Sequence, residues 1–127
     1  MNPPHQKPTV LIVDDDPRIR TMLVEVLSLE GFPTETATNG REALQRLAAS
    51  AGKRVVLLDL LMPVMDGKAM LEALQATPDE RTRLKIILVS ALNNLETHRD
   101  LVVDGQLAKP FTVDQLINSV ETVAAAL

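Results

Sequence analysis

The chain alternates between short, continuously apolar runs and longer segments in which apolar residues recur with helical spacing. Residues 10–13, 55–58 and 86–89 are apolar at every position, a pattern typical of strands that are buried on both faces. Residues 34–37 form a weaker, alternating strand candidate that follows a proline, which favours a place at the edge of a sheet. A short fifth strand is predicted at residues 106–108.

Helical periodicity occupies the segments between the predicted strands. The first helix is predicted to begin at Pro17, because Asp16 is a favoured N-cap and proline suits the first helical position, and to end before Gly31. Further helices are predicted from Asn39-Gly40, over residues 67–75, over residues 92–102, and after Thr112 as its cap. The side chains expected to face the core are Ile19, Met22, Leu23, Val26, Leu27, Ala43, Leu44, Leu47, Met70, Leu71, Leu74, Val113, Leu116, Ile117, Val120 and Val123.

Buried strands joined by helices predict a parallel sheet with helical crossovers on both sides. The predicted fold class is α/β, a doubly wound open five-stranded parallel sheet flanked by helices, with a short or irregular helix over residues 92–102. A length of 127 residues supports one domain. Residues 1–8 are rich in proline and lack an apolar run, so we expect a flexible tail there and a single domain over residues 9–127.

The amino-acid composition excludes several classes of function. Cysteine is absent, which excludes a disulfide scaffold, a cysteine-ligated metal site and a thiol nucleophile. The formal net charge is −4 and the only aromatic residues are Phe32 and Phe111, so we expect no direct binding to nucleic acid. No apolar run is long enough for a membrane span or a secretion signal, and we expect a cytoplasmic protein without membrane contact.

Polar side chains follow the predicted strands at their carboxyl ends. The carboxyl ends of parallel strands meet at one edge of a sheet, where function collects in doubly wound folds. We therefore expect these side chains to converge there. They are Asp14, Asp15, Asp59, Ser90 and Lys109.

Asp59 is the most informative of these residues. It follows one apolar run and precedes another, so it caps no predicted helix, and a carboxylate among apolar side chains is costly unless it is paired. Asp14, Asp15 and Asp59 would repel one another unless a divalent cation bound among them. Oxygen ligands without histidine or cysteine favour Mg²⁺, with Mn²⁺ as the alternative, over zinc. A carboxylate beside such a cation, with a lysine and a hydroxyl nearby, suits phosphoryl transfer to an aspartate.

The motifs around these positions resemble those of one family, the receiver domain of two-component response regulators with the CheY-like fold. In chain order they are LIVDDDP at residues 11–17, VVLLDLLMPVMDG at 55–67, ILVSA at 87–91 and AKPF at 108–111. Each motif is weak alone, but together and in this order they are specific. The resemblance covers the chain from about residue 9 to its C-terminus and implies the strand order 2-1-3-4-5.

The resemblance implies metal-binding and phosphoacceptor roles for matching residues. Asp59 corresponds to the phosphoacceptor and lies beside the metal. Asp15 corresponds to a direct Mg²⁺ ligand, Asp14 to one that acts mainly through water, and Leu61 to a ligand through its backbone carbonyl. Such a domain is not an enzyme, although it can assist its own phosphorylation and dephosphorylation.

Further positions match residues that meet the phosphoryl group. Ser90 corresponds to the hydroxyl residue that contacts it, and Lys109 to the lysine that pairs with its oxygens. The Lys109-Pro110 bond is, by the same resemblance, expected to be cis. Pro63, Asp66 and Gly67 match the loop after the acceptor, where Asp66 most simply caps the following helix.

The chain departs from the family's pattern in two places. The family often has Tyr or Phe three residues before the lysine, as a rotamer switch, where this chain has Gln106. The stretch between Ser90 and Lys109 is also shorter than the family usually has. We therefore expect phosphorylation to order or shift residues 91–105 instead of changing a rotamer at Gln106.

The implied function is that of a phosphoacceptor receiver domain. It would take a phosphoryl group from a sensor histidine kinase or a phosphotransfer protein and change the binding of an output protein or domain that the sequence does not identify. In the family, output partners bind the face formed by the helix before the fifth strand, that strand and the last helix, and homodimers often use the same two helices.

Three other functions would use parts of the same pattern. A phosphatase of the haloacid-dehalogenase type would use Asp14 and Asp16, but it leaves Asp59 unexplained and needs a cap domain. A flavodoxin-like flavin-binding protein would need phosphate-binding loops without acids and aromatic residues against the flavin ring. The stronger alternative is a receiver-like interaction module whose output does not depend on phosphorylation, which Gln106 and the short segment before Lys109 favour.

Overall fold

The computed structural model describes residues 7–59, 67–91 and 103–127. Its five strands are β1 Thr9–Val13, β2 Thr34–Ala37, β3 Arg54–Asp59, β4 Leu84–Ala91 and β5 Gly105–Lys109. The helices in these ranges are α1 Pro17–Leu29, α2 Gly40–Ala48, α3 Gly67–Gln75, α4 Pro78–Thr82 and α5 Val113–Ala124. None of these described helices combines the length and apolarity that a membrane span needs. The helix predicted at residues 92–102, Leu61, Pro63, Asp66 and most of the predicted tail lie outside the described residues.

Each strand runs parallel to its neighbours, and their order across the sheet is β2-β1-β3-β4-β5. This confirms the predicted doubly wound α/β fold and the strand order that the resemblance implied. β1, β3 and β4 lie inside the sheet, as their uninterrupted apolar runs predicted. β2 lies at an edge, where a strand that follows a proline was expected.

The core is divided between the two faces of the sheet. Leu11 and Val13 of β1 belong to a buried cluster that includes residues of α2 and α3. Val10 and Ile12 of the same strand belong to a second cluster, which includes residues of α1 and α5. Successive side chains of a strand point to opposite faces, so β1 needs apolar residues at every position to serve both clusters.

Local sequence signals set the ends of the helices. The carboxylate of Asp16, the N-cap of α1, accepts a hydrogen bond from the backbone N–H of Arg18 (2.9 Å). Gly31 follows the helix with a φ of +89°, a left-handed conformation that favours glycine. Thr112 and Gln115 form a reciprocal capping box at the start of α5. These contacts confirm the predicted caps.

The apolar pattern assigns two side chains to the core that the structure leaves exposed. Met22 is 39 % exposed and Val113 is 51 % exposed, so the prediction that they face the core is wrong. In α1 the buried residues are Leu23 and Leu27, and Met22 is rotated by about 100° around the helix axis from Leu23. Val113 is the first residue of α5, and the buried stripe of that helix begins only at Leu116.

α4 is a short helix that the sequence pattern did not predict. Its five residues, PDERT, are polar apart from the initial proline, so no apolar periodicity marks it. Arg81 fastens it to the next strand, because its Nη1 donates to the backbone carbonyl of Leu84 (2.9 Å). β4 begins at Leu84, earlier than predicted, because the partly exposed Lys85 interrupts the apolar run.

Candidate functional site

Four polar residues meet at the carboxyl edge of the sheet. Asp14 directly follows β1, Asp59 ends β3, Ser90 lies near the end of β4, and Lys109 ends β5. The register of β1 and β3 brings the two aspartates alongside each other, and the register of β4 and β5 does the same for Ser90 and the residue before Lys109. The topology therefore produces the convergence that the sequence predicted.

Three of these four residues are almost fully removed from solvent. The exposed fraction is 4 % for Asp14, 8 % for Asp59 and 4 % for Ser90. Asp59 is buried because its whole strand is buried, from Arg54 to its own position. A buried carboxylate is costly unless a cation or hydrogen bonds compensate it, so two of them side by side indicate a site kept for function.

A third acid completes a cluster with these two. Asp14, Asp15 and Asp59 each offer one carboxylate oxygen, and these oxygens all lie within 4.8 Å of one another. Asp15 is exposed, and among the described residues it has no side-chain hydrogen bond or ion pair. An all-oxygen set of this kind fits a hard divalent cation such as Mg²⁺.

Lys109 supplies positive charge beside the cluster. Its Nζ lies 3.7 Å from Oδ2 of Asp14 and 3.9 Å from Oδ2 of Asp59. These are ion-pair distances, and they are longer than a direct hydrogen bond. The ammonium group therefore offsets the charge of both acids without binding tightly to either. The Lys109-Pro110 peptide bond is cis, as the resemblance implied.

Asp14 is held at three points. Its backbone N–H donates to the carbonyl of Ala37 (3.1 Å), and its Oδ1 accepts from the backbone N–H of Asp16 (2.9 Å). Its backbone carbonyl accepts from Nη1 of Arg20 (2.7 Å). The orientation of Asp14 is thus fixed by its own turn, whereas the neighbouring Asp15 carboxylate is exposed and has no such contacts among the described residues.

Asp16, the third acid of the run, serves the helix and not the cluster. The backbone N–H of Arg18 donates to its carboxylate and lowers the pKa of Asp16 below its usual value, with smaller contributions from the Arg18 side chain. Asp16 does not belong to the group of three acids whose oxygens lie within 4.8 Å of one another. The hydrogen bond from Arg18 confirms the prediction that Asp16 caps α1.

Leu61 and Gln106 are two further positions that the resemblance concerns, and neither is one of the three clustered acids. The carbonyl of Leu61, expected as a metal ligand, lies outside the described residues. Gln106 lies in β5 with its side chain exposed. An exposed amide can hydrogen-bond to water and needs no buried partner, so the strand tolerates it where the family often has an aromatic ring.

Arg20 contacts the site, although the sequence pattern gave no reason to select it. It lies six residues after Asp14, and only the path of the turn brings its guanidinium group back to the end of β1. Its place one turn into the helix that follows the acidic run is the signal that could have identified it, because a long basic side chain there can reach the preceding strand end.

Comparison with known proteins points to one family. The model of the response regulator receiver domain matches residues 10–121. Regulatory protein AtoC of Escherichia coli is 40 % identical over 110 residues, which are 84 % of this chain and 23 % of AtoC. The chain therefore spans less than a quarter of that relative's length.

Solved structures of similar chains agree with the described fold. The signal receiver domain of a signal transduction histidine kinase from Syntrophus aciditrophicus has a TM-score of 0.86 at 30 % identity, covering 94 % of this chain and 92 % of that one. Response regulator protein TrrA from Thermotoga maritima, in complex with Mg(2+)-BeF, has a TM-score of 0.77 at 32 % identity. The match covers 91 % of this chain and 98 % of that one.

Proposed function

The chain belongs to the family of response regulator receiver domains, and we propose that Asp59 is the residue at which it accepts a phosphoryl group. The assignment rests on one observation: three carboxylates lie within 4.8 Å of one another, and the Lys109 ammonium lies 3.9 Å from Asp59. Asp59 is a better nucleophile candidate than Asp14, because it caps no described helix and its position in the motif at residues 55–67 matches the phosphoacceptor of the family.

Mg²⁺, or Mn²⁺ as the alternative, would be held by Asp14, Asp15 and Asp59, with the carbonyl of Leu61 as a further ligand. When bound, such a cation offsets the negative charge of phosphoryl oxygens that approach a carboxylate. Asp15 is suited to direct contact because its carboxylate is exposed and has no partner among the described residues. Asp14 is suited to contact through water, because its Oδ1 is already hydrogen-bonded.

Transfer to Asp59 requires one bond to form and one to break. A carboxylate oxygen of Asp59 forms a bond to phosphorus, while the bond from phosphorus to a histidine nitrogen of the donor breaks and its electron pair stays with the imidazole. The Lys109 ammonium would pair with phosphoryl oxygens, and the Ser90 hydroxyl would donate a hydrogen bond to a phosphoryl oxygen. The product is an aspartyl phosphate, and the domain at most assists its formation and hydrolysis.

The donor is a sensor histidine kinase or a phosphotransfer protein. The output protein or domain would contact the face that includes β5 and α5, at which the family binds its output partners, and a homodimer would use the same face. A net charge of −4 argues against direct nucleic acid binding by this domain. The proposed function places the domain in the cytoplasm. A module independent of phosphorylation has less support, because it would need none of the three clustered acids.

Intact-mass measurement tests the assignment. With Mg²⁺ and acetyl phosphate, the protein should gain the mass of one phosphoryl group, and chelation of Mg²⁺ should prevent the gain. Asp59→Asn should abolish it, because an amide cannot form the acyl phosphate. Asp16→Asn is the matched control, since it makes the same change in a helix cap outside the cluster. Normal labelling of Asp59→Asn would contradict the proposal.

A further inference from the structure

The turn between β1 and α1 carries the two adjacent acids of the cluster, and one basic side chain closes it. Nη1 of Arg20 donates to the backbone carbonyl of Asp14 at 2.7 Å. We propose that Arg20 is a positioning residue, which holds the Asp14–Asp15 backbone so that both carboxylates face the metal position. This inference rests on the proposed Mg²⁺ site.

The contact is of a kind that can fix a backbone. A distance of 2.7 Å is at the short end for a hydrogen bond from a charged donor, and such bonds are stronger than neutral ones. The Asp14 carbonyl lies just beyond the last paired residue of β1, at the point where the chain leaves the sheet. Arg20 is partly buried and lies on the rigid helix that follows the turn, so it ties the turn to α1.

Two further hydrogen bonds hold the turn, and neither involves the carbonyl oxygen of Asp14. Asp16 N–H donates back to Oδ1 of Asp14 (2.9 Å), and Arg20 N–H donates to the carbonyl of Asp16 (3.0 Å). The first of these bonds closes a ring that includes the peptide between Asp14 and Asp15, but it does not involve the carbonyl oxygen of that peptide, which is the atom that Arg20 binds. Without the guanidinium group, that peptide would keep only the restraint from the Asp16 N–H, and charge repulsion would shift the Asp15 carboxylate away from Asp14 and Asp59.

The charge of Arg20 and its positioning contact predict opposite effects on Mg²⁺. A guanidinium group near three acids competes electrostatically with a bound cation, so removal of the charge alone should tighten Mg²⁺ binding. Removal of the contact that orients the acids should weaken it. Loss of outer-shell partners of metal ligands commonly costs between 10- and 100-fold in affinity, so we expect positioning to dominate.

Arg18 offers a matched control on the same helix. Its side chain is 90 % exposed, and it pairs with the N-cap Asp16 at 3.6 Å. Arg18→Met removes the same charge close to the cluster without touching the Asp14 carbonyl. It should leave Mg²⁺ affinity unchanged or slightly tighter, whereas Arg20→Met should weaken it by roughly tenfold.

The experiment is a calorimetric titration of the full chain with Mg²⁺ alone, for the wild type and for Arg20→Met, Arg18→Met and Asp15→Ala. If the wild type binds Mg²⁺ and Asp15→Ala does not, the proposed metal site stands. The inference is then supported if Arg20→Met binds Mg²⁺ more weakly than the wild type and Arg18→Met does not. Under the same condition, equal or tighter binding by Arg20→Met overturns the inference only. If Asp15→Ala binds like the wild type, the proposed site and this inference both fall.

A second measurement needs no variant and no metal. In the metal-free wild type, the guanidinium protons of Arg20 should exchange with water more slowly than those of Arg18, because only Arg20 is held against a backbone carbonyl. Exchange that is equally fast at both side chains would overturn the inference even if Arg20→Met failed to fold.

Discussion

Asp14 and Asp15 are neighbours in the chain, but their side chains lie in different surroundings. Asp14 is buried and bonded through its N–H, its carbonyl and one carboxylate oxygen. Asp15 is exposed, and within the described ranges its carboxylate is left for a ligand. The pattern of an acidic pair after a buried strand predicted a cation site. Only the resemblance proposed different roles for the two acids, because the pattern alone does not encode the path of the turn.

Removal of Lys109 should separate metal binding from phosphoryl transfer. Its ammonium lies 3.7 Å from Asp14 and 3.9 Å from Asp59, so it competes with a cation while it assists a phosphoryl group. Lys109→Met should tighten Mg²⁺ binding by about 1 kcal/mol, or roughly fivefold, and slow phosphorylation by acetyl phosphate. Calorimetry and intact-mass kinetics measure the two effects.

Lys85→Met is the control for this prediction, since Lys85 pairs with Asp104 (3.7 Å) and not with the cluster. Lys85→Met should change neither the Mg²⁺ affinity nor the rate of phosphorylation by acetyl phosphate. Weaker Mg²⁺ binding by Lys109→Met would show that the lysine supports the metal position instead of competing for it.

The N-cap of α1 should make part of the stability depend on pH. The pKa of Asp16 is lowered in the folded state by the N–H of Arg18, so its stabilising contribution is present above the unfolded-state pKa of about 3.9. It is lost as the pH falls through the lower, folded-state value. Urea unfolding of the wild type and Asp16→Ala should therefore differ at pH 7, and the difference should shrink below about pH 4.

Asp16→Asn separates the cap from the charge, because asparagine is an equally good N-cap that does not titrate. It should keep most of the stability at pH 7, and its stability relative to Asp16→Ala should not change with pH. A constant difference between wild type and Asp16→Ala down to pH 2 would mean that the carboxylate is not the cap.

At the scale of elements, strong periodicity predicted structure well and weak periodicity did not. α3 spans residues 67–75 as predicted, with Met70, Leu71 and Leu74 buried. α4 was missed because its five residues make little more than one turn and carry no apolar stripe. Its position depends on tertiary contacts of Arg81, which no local pattern encodes.

Asp104 links α4 to the beginnings of β4 and β5. Its Oδ2 accepts from Nη2 of Arg81 (3.0 Å) and from the backbone N–H of Ile86 (2.8 Å). Its own N–H donates to the carbonyl of Ile86 (2.8 Å). This reciprocal pair starts the ladder between the two strands at the edge of the sheet opposite to the acidic cluster.

Substitution of Asp104 should therefore destabilise the domain. Asp104→Ala removes the acceptor for two donors and should lower the free energy of unfolding by about 1 to 3 kcal/mol. Asp104→Asn can still accept from Ile86 and loses mainly the ion pairs, so it should cost about 1 kcal/mol or less. Denaturant unfolding measures both. Equal stability of Asp104→Ala and wild type would contradict the role assigned to this contact.

At the scale of the molecule, the sheet serves both stability and the site. Its faces bury two separate apolar clusters, and its carboxyl edge gathers residues that are far apart in the chain. The apolar runs were sufficient to predict the fold class and this convergence. They could not predict the distances among the acids or the exposure of Met22, because those depend on how the helices pack against the sheet.

The clustered acids should link the stability of the whole domain to Mg²⁺. Binding to the folded state alone raises the free energy of unfolding by about 2.7 kcal/mol when the free ligand is at 100 times its Kd. The melting temperature of the wild type should rise with Mg²⁺ at constant ionic strength, and that of Asp15→Ala should not. NaCl at the same ionic strength controls for screening, and an equal rise in both proteins would place the metal elsewhere.

Chemical trapping of the phosphorylated residue tests the central claim most directly. Borohydride reduces an aspartyl phosphate to homoserine, so the protein is phosphorylated with Mg²⁺ and acetyl phosphate, reduced, digested and mapped by mass spectrometry. Asp59 lies beside Lys109 and the other two acids, and it occupies the position of the family's phosphoacceptor, so homoserine is expected at position 59. Homoserine at position 14 or 15, or at no position despite phosphorylation of the protein, would contradict the assignment.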